Sequence, residues 1–445
     1  MNPTIVQILR DFQIDDYLPI VQRDLDLGEP LTPRRGNLVK VIIGMRRSGK
    51  SYRLLQEMER LHDEGISWSR MCYFNFEDDR LGPVTPQTGD AVMEAFAEEN
   101  PESLDKGAYF FFDEIQEMDG WSAWMRRMVD TQKATFYLTG SSSKLLSDEI
   151  GTEFRGRALE FELLPLSFGE YVRFHELDPS MVKTTREWAK LRKFFRTYLE
   201  CGGFPDTIRL TPPLRVTLLQ SYANRVAAKD VVERHEMDGL EAASQVGRRL
   251  LELNGCELSL RKMDGQLRSQ GTSVARATIA RLVDYFASAY LIFLLEERRI
   301  GKTAVARSRK VYAIDPGLAL ANAKAGSNNE GQRLEDAVYL ELRRRTVGLR
   351  DGVISSYRTN RQREVDFLVG DSVLGNKPAL YQVCASLDSP ETRKRELRAL
   401  AEAAEETSIE NLYLITGSGE SEEAVYDGKR IQIVPALGWF LGTAL

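Results

Sequence analysis

Residues 44 to 51 read Gly44-Met45-Arg46-Arg47-Ser48-Gly49-Lys50-Ser51, a complete G-x-x-x-x-G-K-S phosphate loop. The preceding Leu38-Val39-Lys40-Val41-Ile42-Ile43 is short, apolar and β-branched, and Tyr52 to Leu61 carries apolar residues at helical spacing. The loop is therefore expected between a strand and a helix, the context that phosphate binding needs. Its two glycines let the chain turn tightly enough for several backbone N–H groups to converge on phosphate oxygens, and the helix N-terminus adds partial positive charge. In this pattern Gly44, Arg46, Arg47, Ser48, Gly49 and Tyr52 line or flank the nucleotide. Lys50 reaches the β- and γ-phosphates, and Ser51 ligates Mg²⁺. The expected ligands are ATP or ADP with Mg²⁺.

Downstream, Tyr109-Phe110-Phe111-Phe112-Asp113-Glu114-Ile115-Gln116 places four consecutive aromatics before two carboxylates. This is the pattern of a buried parallel strand ending in a Walker B motif. Asp113 would hold the Mg²⁺ shell and Glu114 would polarise the attacking water. A third strand, Thr135-Phe136-Tyr137-Leu138-Thr139-Gly140, runs into Ser141-Ser142-Ser143. A polar residue at its tip is placed to sense the γ-phosphate, with Ser141 the first choice and Thr139 the second. The same serines also suit a helix cap.

These stretches, together with Gly156-Arg157, Leu164-Pro165-Leu166-Ser167-Phe168-Gly169-Glu170 and Gly202-Gly203-Phe204-Pro205, resemble the AAA+ ATPases. The narrower resemblance is to a prokaryotic group related to archaeal ATPases and origin-recognition-like proteins, and it spans about half the chain. It implies an α/β fold, with a P-loop NTPase core, a helical lid and a winged helix. It also implies a homo-oligomeric ring in which Arg157 is an arginine finger for the neighbouring subunit, with Arg155 as runner-up. A guanidinium at the γ-phosphate stabilises the charge of the transition state, whereas an arginine beside a strand otherwise serves as a surface ion pair. The Gly-Gly-Phe-Pro turn opens the lid in this reading, and Ile20, Val21 and Arg23 border the adenine.

The whole chain carries a net charge of −6, so any nucleic-acid surface must come from local distribution. From Gly255 to Val311 eleven Lys or Arg face five acids, a local excess of six. Leu258 to Ser269 has a helical pattern, Gly271-Thr272-Ser273 offers a turn and cap, and Val274 to Glu296 continues as a long amphipathic helix. This predicts a helix-turn-helix, with Arg298 to Tyr312 supplying the hairpin of a winged helix. Arg276, Thr278 and Arg281 would face DNA, with Arg309 and Lys310 on the hairpin. Ile279, Leu282, Phe286 and Tyr290 would face the core. Winged helices in AAA+ relatives also pack on the ATPase core without touching DNA, so both roles stay open.

After Ala323-Lys324-Ala325-Gly326-Ser327-Asn328-Asn329 the texture changes. A helix from Gln332 to Arg345 is expected, then strands over Val353 to Arg358, Glu364 to Val369 and Ala379 to Ala385, then a charged helix from Pro390 to Glu405. Strands over Asn411 to Thr416 and Arg430 to Val434 follow. Helix, three strands, helix, strand is the order of the restriction-endonuclease-like fold, and the stretch resembles a C-terminal domain of unknown function that follows this ATPase type. Active nucleases of that PD-(D/E)xK fold use a helix acid, an Asp at a strand bend and an E-x-K on the next strand. Glu335 and Asp366 occupy the first two places, but the third reads Gln382-Val383-Cys384. An amide lowers the charge available to a hard cation, and cysteine removes the lysine that would stabilise a developing oxyanion. The reading is a degenerate site without DNA cleavage; an ATP-regulated nuclease stays as the minor alternative.

At 445 residues and 42% hydrophobic, the chain can bury two or three cores. The expected regions are an N-terminal helical extension over 1–37, an ATPase core over 38–175, a helical lid and winged helix over 176–322, and a nuclease-like domain over 323–445. Four cysteines at 72, 201, 256 and 384 show no paired spacing, and His62, His175 and His235 are scattered, which argues against zinc and a disulfide framework. No secretory leader or membrane-length apolar run is legible, so a cytoplasmic protein with no membrane partner is expected. Two function classes follow. One is an oligomeric Mg²⁺-dependent ATP hydrolase acting on DNA; the other is a nucleotide-dependent switch or scaffold that binds a protein.

Overall fold

The computed structural model describes residues 2–140, 156–298, 308–324, 329–346, 353–370 and 377–443. The chain divides into two compact units, Met1–Leu163 and Leu164–Leu445.

The first unit is built on five strands: β1 Val39–Ile43, β2 Met71–Asn75, β3 Ala108–Asp113, β4 Ala134–Gly140 and β5 Ala158–Glu162. They lie in the order β2-β3-β4-β1-β5, and every pairing is parallel. Strands covered on both faces can be apolar along their whole length, and β1, β3 and β4 are buried at every position. Alternation sorts the aromatics of β3. Phe111 stacks on Tyr137 at 4.8 Å and packs with Leu54, Leu55, Met58 and Leu61 of the helix Lys50–Asp63. Phe112 turns to the other face and meets Trp124 of the helix Trp121–Thr131 at 5.7 Å. Because the strands are parallel, the residues that follow Ile43, Phe112 and Leu138 all emerge at one edge of the sheet.

The N-terminal extension is helical only in its first half, with a helix over Pro3–Asp11 and a single turn over Ile14–Tyr17. Residues 18–37 carry no helix. Pro19, Pro30 and Pro33 in that stretch cannot donate main-chain hydrogen bonds and interrupt helical propagation.

In the second unit the Leu-Ser-Phe-Gly-Glu stretch starts the helix Phe168–Phe174. Ser167 Oγ accepts from the Glu170 N–H at 3.1 Å, and Glu170 Oε2 accepts from the Ser167 N–H at 2.7 Å, a capping box. The Gly-Gly-Phe-Pro turn has a packing cause. Gly202 has φ +72°, and a Cβ there would lie 1.9 Å from Asp315 Oδ1; one on Gly203 would lie 2.3 Å from the Leu166 carbonyl oxygen. Asp315 accepts from Gly203 N–H at 2.6 Å and from Leu318 N–H at 2.8 Å, which caps the helix Pro316–Asn322.

Helices Leu240–Glu252, Leu260–Ser269 and Arg276–Ser288 follow, interleaved with β6 Cys256–Glu257, β7 Ile292–Arg298 and β8 Arg309–Ala313. The helix expected to run to Glu296 stops at Ser288. Tyr290 adopts the left-handed region at φ +59°, and the next residues, Leu291-Ile292-Phe293-Leu294-Leu295, form a branched and aromatic run that pairs antiparallel with β8. A helical period and a short apolar run are hard to tell apart here. Of the expected hairpin, 299–307 lies outside the described residues.

The remaining strands are β9 Ile354–Arg358, β10 Glu364–Val369, β11 Ala379–Cys384, β12 Asn411–Thr416, β13 Glu422–Tyr426 and β14 Lys429–Pro435, with helices Glu330–Arg345 and Pro390–Thr407. One nine-stranded sheet, β13-β14-β12-β11-β10-β9-β7-β8-β6, includes strands from both sides of residue 322. The join is a parallel pairing of β7 with β9.

Candidate active site

The phosphate loop leaves β1 through Gly44, where a Cβ would lie 2.2 Å from the Leu163 carbonyl oxygen, so only glycine fits. Arg47 and Gly49 adopt positive φ of 69° and 98°, and Lys50 opens the helix behind them. Ser48 is buried, and its Oγ has no hydrogen-bond partner among the described residues. Arg46 bridges Glu77 at 3.0 Å and Glu117 at 3.2 Å. Tyr52 is exposed.

Strand β3 delivers its two carboxylates to this loop. Lys50 Nζ lies 3.5 Å from Glu114 Oε1 and donates to the Met45 carbonyl oxygen at 3.4 Å. Asp113 is hydrogen-bonded to the Ser51 side chain, and Tyr73 Oη donates to its Oδ2 at 2.8 Å. Thr139, at the tip of β4, donates its hydroxyl to Asp113 Oδ1 and accepts from the Glu114 N–H at 2.9 Å.

The two neighbouring acids are driven apart electrostatically. Burial, then the charge of Glu114, pushes Asp113 up, against hydrogen bonds from Ser51, Thr139 and Tyr73. Burial also pushes Glu114 up, but Lys50, Arg46 and the Gln116 amide more than offset it, so its carboxyl ends below the usual range. Glu114 is thus kept ionised beside a cation, while Asp113 is a carboxylate short of positive charge. The donor set fits Mg²⁺: the Ser51 hydroxyl and Asp113 carboxylate are hard oxygen ligands already in mutual contact.

Tyr17, Tyr73 and Arg23 acquire places that no motif marked. Tyr17 meets Tyr52 edge-on at 6.1 Å between ring centroids, and both rings are partly exposed. Burial and then the charge of Tyr52 push the Tyr17 phenol up, with Asp16 and Asp113 adding to the effect. Arg23 is buried and donates to the Ser48 carbonyl oxygen, whereas Ile20 and Val21 are half-buried nearby in sequence.

Arg157 lies elsewhere. It precedes β5, whose first residue pairs with Val39 at the start of β1, so it sits at the edge of the sheet opposite the phosphate loop. The five residues of β1 put about 16 Å between those edges. Its guanidinium pairs with Asp130 at 2.5 Å. Ser141 and Arg155 lie outside the described residues.

In the second unit, Arg276 and Arg281 are exposed on the helix Arg276–Ser288, while Ile279, Leu282, Phe286 and Tyr290 are buried. Arg276 pairs with Asp264 at 3.2 Å, and Arg309 approaches Asp284 at 3.9 Å. Lys310 corrects the sequence reading. Its side chain is buried, with Nζ 3.0 Å from Glu335 Oε1, 3.4 Å from Asp366 Oδ1 and in contact with Glu364, so it is unavailable to a DNA phosphate. Period-2 alternation on β8 turns Lys310 to the face opposite Arg309. Tyr312 Oη donates to Glu335 at 2.7 Å, the Asp366 N–H donates to Gln382 Oε1 at 3.3 Å, and the Val383 N–H donates to Asp366 Oδ2 at 2.9 Å. The cation beside Glu335 and Asp366 is thus Lys310 of β8, and the strand that follows Asp366 carries Gln382-Val383-Cys384. No helix among the described residues is long and apolar enough to cross a membrane.

Residues 36–172 match the AAA domain family model, and residues 192–329 match a domain of unknown function. That second match covers the helices and strands before residue 330, not the C-terminal stretch for which the sequence suggested such a domain. An uncharacterised protein of Methanocaldococcus jannaschii is 35% identical over 442 residues, covering 98% of this chain and 94% of its own. An uncharacterised protein of Haemophilus influenzae is 28% identical over 351 residues, covering 78% of this chain and 84% of its own. Among solved structures, a Walker-type ATPase of Pyrococcus abyssi aligns with TM-score 0.42 and 14% identity over 64% of this chain and 90% of that one. The ORC2 protein of Aeropyrum pernix in its ADP form aligns with TM-score 0.32 and 11% identity over 58% of this chain and 81% of that one.

Proposed function

The chain belongs to the same family as the Methanocaldococcus jannaschii protein, with an AAA domain over residues 36–172, and from that premise we propose that it is a Mg²⁺-dependent ATP hydrolase. The observation that carries the reading is the convergence of Lys50, Ser51, Asp113, Glu114 and Thr139 at one edge of the parallel sheet. ATP lies with its phosphates against the loop N–H groups, and Lys50 faces the β- and γ-phosphates. Ser51 and Asp113 would hold Mg²⁺, which would supply positive charge to the phosphates. Glu114, kept ionised by Lys50 and Arg46, accepts a proton from the attacking water. Thr139 holds the Asp113 carboxylate and the Glu114 main-chain N–H through one hydroxyl. Tyr17 and Tyr52 offer the adenine two ring faces next to the loop helix.

Hydrolysis is assigned to an oligomer, because Arg157 stands at the sheet edge remote from its own loop and serves a γ-phosphate only across a subunit contact. Helices Leu240–Glu252, Leu260–Ser269 and Arg276–Ser288 with β6, β7 and β8 have the order of a winged helix, and their exposed Arg276 and Arg281 with the half-buried Arg309 support DNA binding coupled to the nucleotide cycle. The stretch from residue 330 is a nuclease-like fold without cleavage, since Lys310 already occupies the space among its carboxylates.

Glu114→Gln should bind ATP at parental affinity and lose turnover, and Lys50→Ala should lose binding. Parental hydrolysis by Glu114→Gln would remove the assignment. DNA-stimulated ATPase activity that falls on charge reversal of Arg276 and Arg281, with DNA affinity dropping steeply as salt rises, is expected. Absence of DNA binding at low salt would favour a switch that binds protein.

A further inference from the structure

A cavity of about 450 Å³ lies wholly in the second unit, within the residues that match the domain of unknown function. It is of a size that accepts a small ligand, but its chemistry is the reverse of an apolar slot. Apart from Ala323, every lining side chain is polar or charged. The helix Leu240–Glu252 presents Gln245, Arg248, Arg249 and Glu252 to it, positions that share one helical face.

Charge sets the first property of the ligand. Arg248, Arg249 and Lys324 face the single carboxylate Glu252, a balance of three against one that leaves two positive charges. Arg249 pairs with Glu252, and Arg248 and Lys324 make no ion pair among the described residues. Unmet hydrogen bonds set the second property. Arg249 Nε and Gln245 Oε1 are both buried without a partner, one a donor and the other an acceptor. A merely solvated basic face would leave such atoms open to water, and burying them unmet costs free energy.

We propose that this cavity binds a phosphate monoester whose organic part carries hydroxyl donors, a sugar or nucleoside phosphate. The doubly charged phosphate matches the excess of two positive charges, with Arg248, Lys324 and Arg249 Nε on its oxygens. Gln245 Oε1 accepts from a hydroxyl of the ligand. The site is separate from the phosphate loop and belongs to another unit of the chain.

The test uses full-length Lys50→Ala protein, in which the phosphate loop no longer competes for phosphate. Calorimetric titration with ribose 5-phosphate should show one saturable site that weakens about tenfold or more in the added double substitution Arg248→Ala/Lys324→Ala. Inorganic phosphate should bind more weakly, and Gln245→Leu should remove that difference while leaving inorganic phosphate unchanged. A 5′-phosphorylated oligonucleotide that binds where its 5′-hydroxyl twin does not assigns the phosphate to a nucleic-acid end; ribose 5-phosphate binding without oligonucleotide binding assigns it to a free metabolite. Either supports the site. No saturable binding of any of these probes by folded protein, or binding unchanged in the double variant, overturns it.

Discussion

Arg23 donates from Nη1 to the main-chain carbonyl oxygen of Ser48 at 2.7 Å, across 25 positions of sequence. Its own backbone is clamped by Gln56: the Arg23 N–H donates to Gln56 Oε1 at 3.0 Å, and Gln56 Nε2 donates to the Arg23 carbonyl oxygen at 3.1 Å. The N-terminal segment is thereby tied both to the loop helix and to the loop itself. A phosphate loop works when its N–H groups point inward, which turns carbonyls such as that of Ser48 outward. A buried guanidinium satisfies that carbonyl and fixes the loop before nucleotide arrives. Arg23→Met, with the Gln56 clamp intact, is therefore expected to raise KM for ATP about tenfold while kcat changes little. Steady-state kinetics check it, with Arg23→Lys giving partial rescue. Equal losses in kcat and kcat/KM would place Arg23 in the chemical step instead.

Arg157 carries a prediction about assembly. Arg157→Ala should bind ATP and lose turnover, and parental specific activity should rise with protein concentration. Mixing Arg157→Ala with Lys50→Ala, each inactive alone, should recover part of the activity, since an intact loop then meets an intact finger across some contacts. A monomer with full activity, measured by light scattering alongside ATPase assay, would refute the trans role.

The motifs show why this much could be read from sequence. The phosphate loop and the Phe-Phe-Phe-Asp-Glu strand are local patterns in which spacing and chemistry coincide, and parallel strands then bring their C-terminal ends together. Arg23 and Lys310 could not be assigned that way. Arg23 meets Ser48 only after residues 18–37 fold back, and Lys310 was read as a surface cation because its face on β8 depends on which neighbours pair with that strand. The helix end at Ser288 was missed because Leu291 to Leu295 fits either period. Strand β13 was missed for its composition: Glu422-Glu423-Ala424-Val425-Tyr426 is a charged edge strand, where the alternation of a buried strand is absent.

Asp315 gives a pH prediction. Burial pushes its carboxyl up from 3.8 to about 6, against the N–H groups of Gly203 and Leu318 that pull it down. Between those two values the folded chain holds a proton that the unfolded chain releases, so stability falls as pH rises through the window and is full below it. The shift is worth about 3 kcal/mol. Asp315→Asn, which keeps an acceptor oxygen, should therefore gain about 3 kcal/mol relative to the parent between pH 4 and pH 7. Urea unfolding of the second unit's transition at both pH values measures the difference. A constant gap between variant and parent would show that Asp315 is ionised throughout.

Lys310 bears on the proposed absence of cleavage in the stretch from residue 330. Its ammonium lies among Glu335, Glu364 and Asp366. Burial favours a neutral amine there, but the three carboxylates outweigh it and hold the lysine charged. Burial, then the charge of Glu335, pushes Asp366 up, the direction expected when three acids share one cation. An internal cation placed this way does the electrostatic work of a metal ion without being exchangeable. Lys310→Met should then cost about 3–5 kcal/mol, because it strands the buried Asp366 carboxylate beside the half-buried Glu335 and Glu364. The loss should shrink at acid pH as Asp366 protonates, and millimolar Mn²⁺ should restore part of it by binding the folded state alone. Parental protein should leave DNA uncut with Mg²⁺ or Mn²⁺. Cleavage that disappears in Asp366→Ala would show instead that Lys310 is a working member of a nuclease site, and that its contacts with the three acids open when substrate arrives.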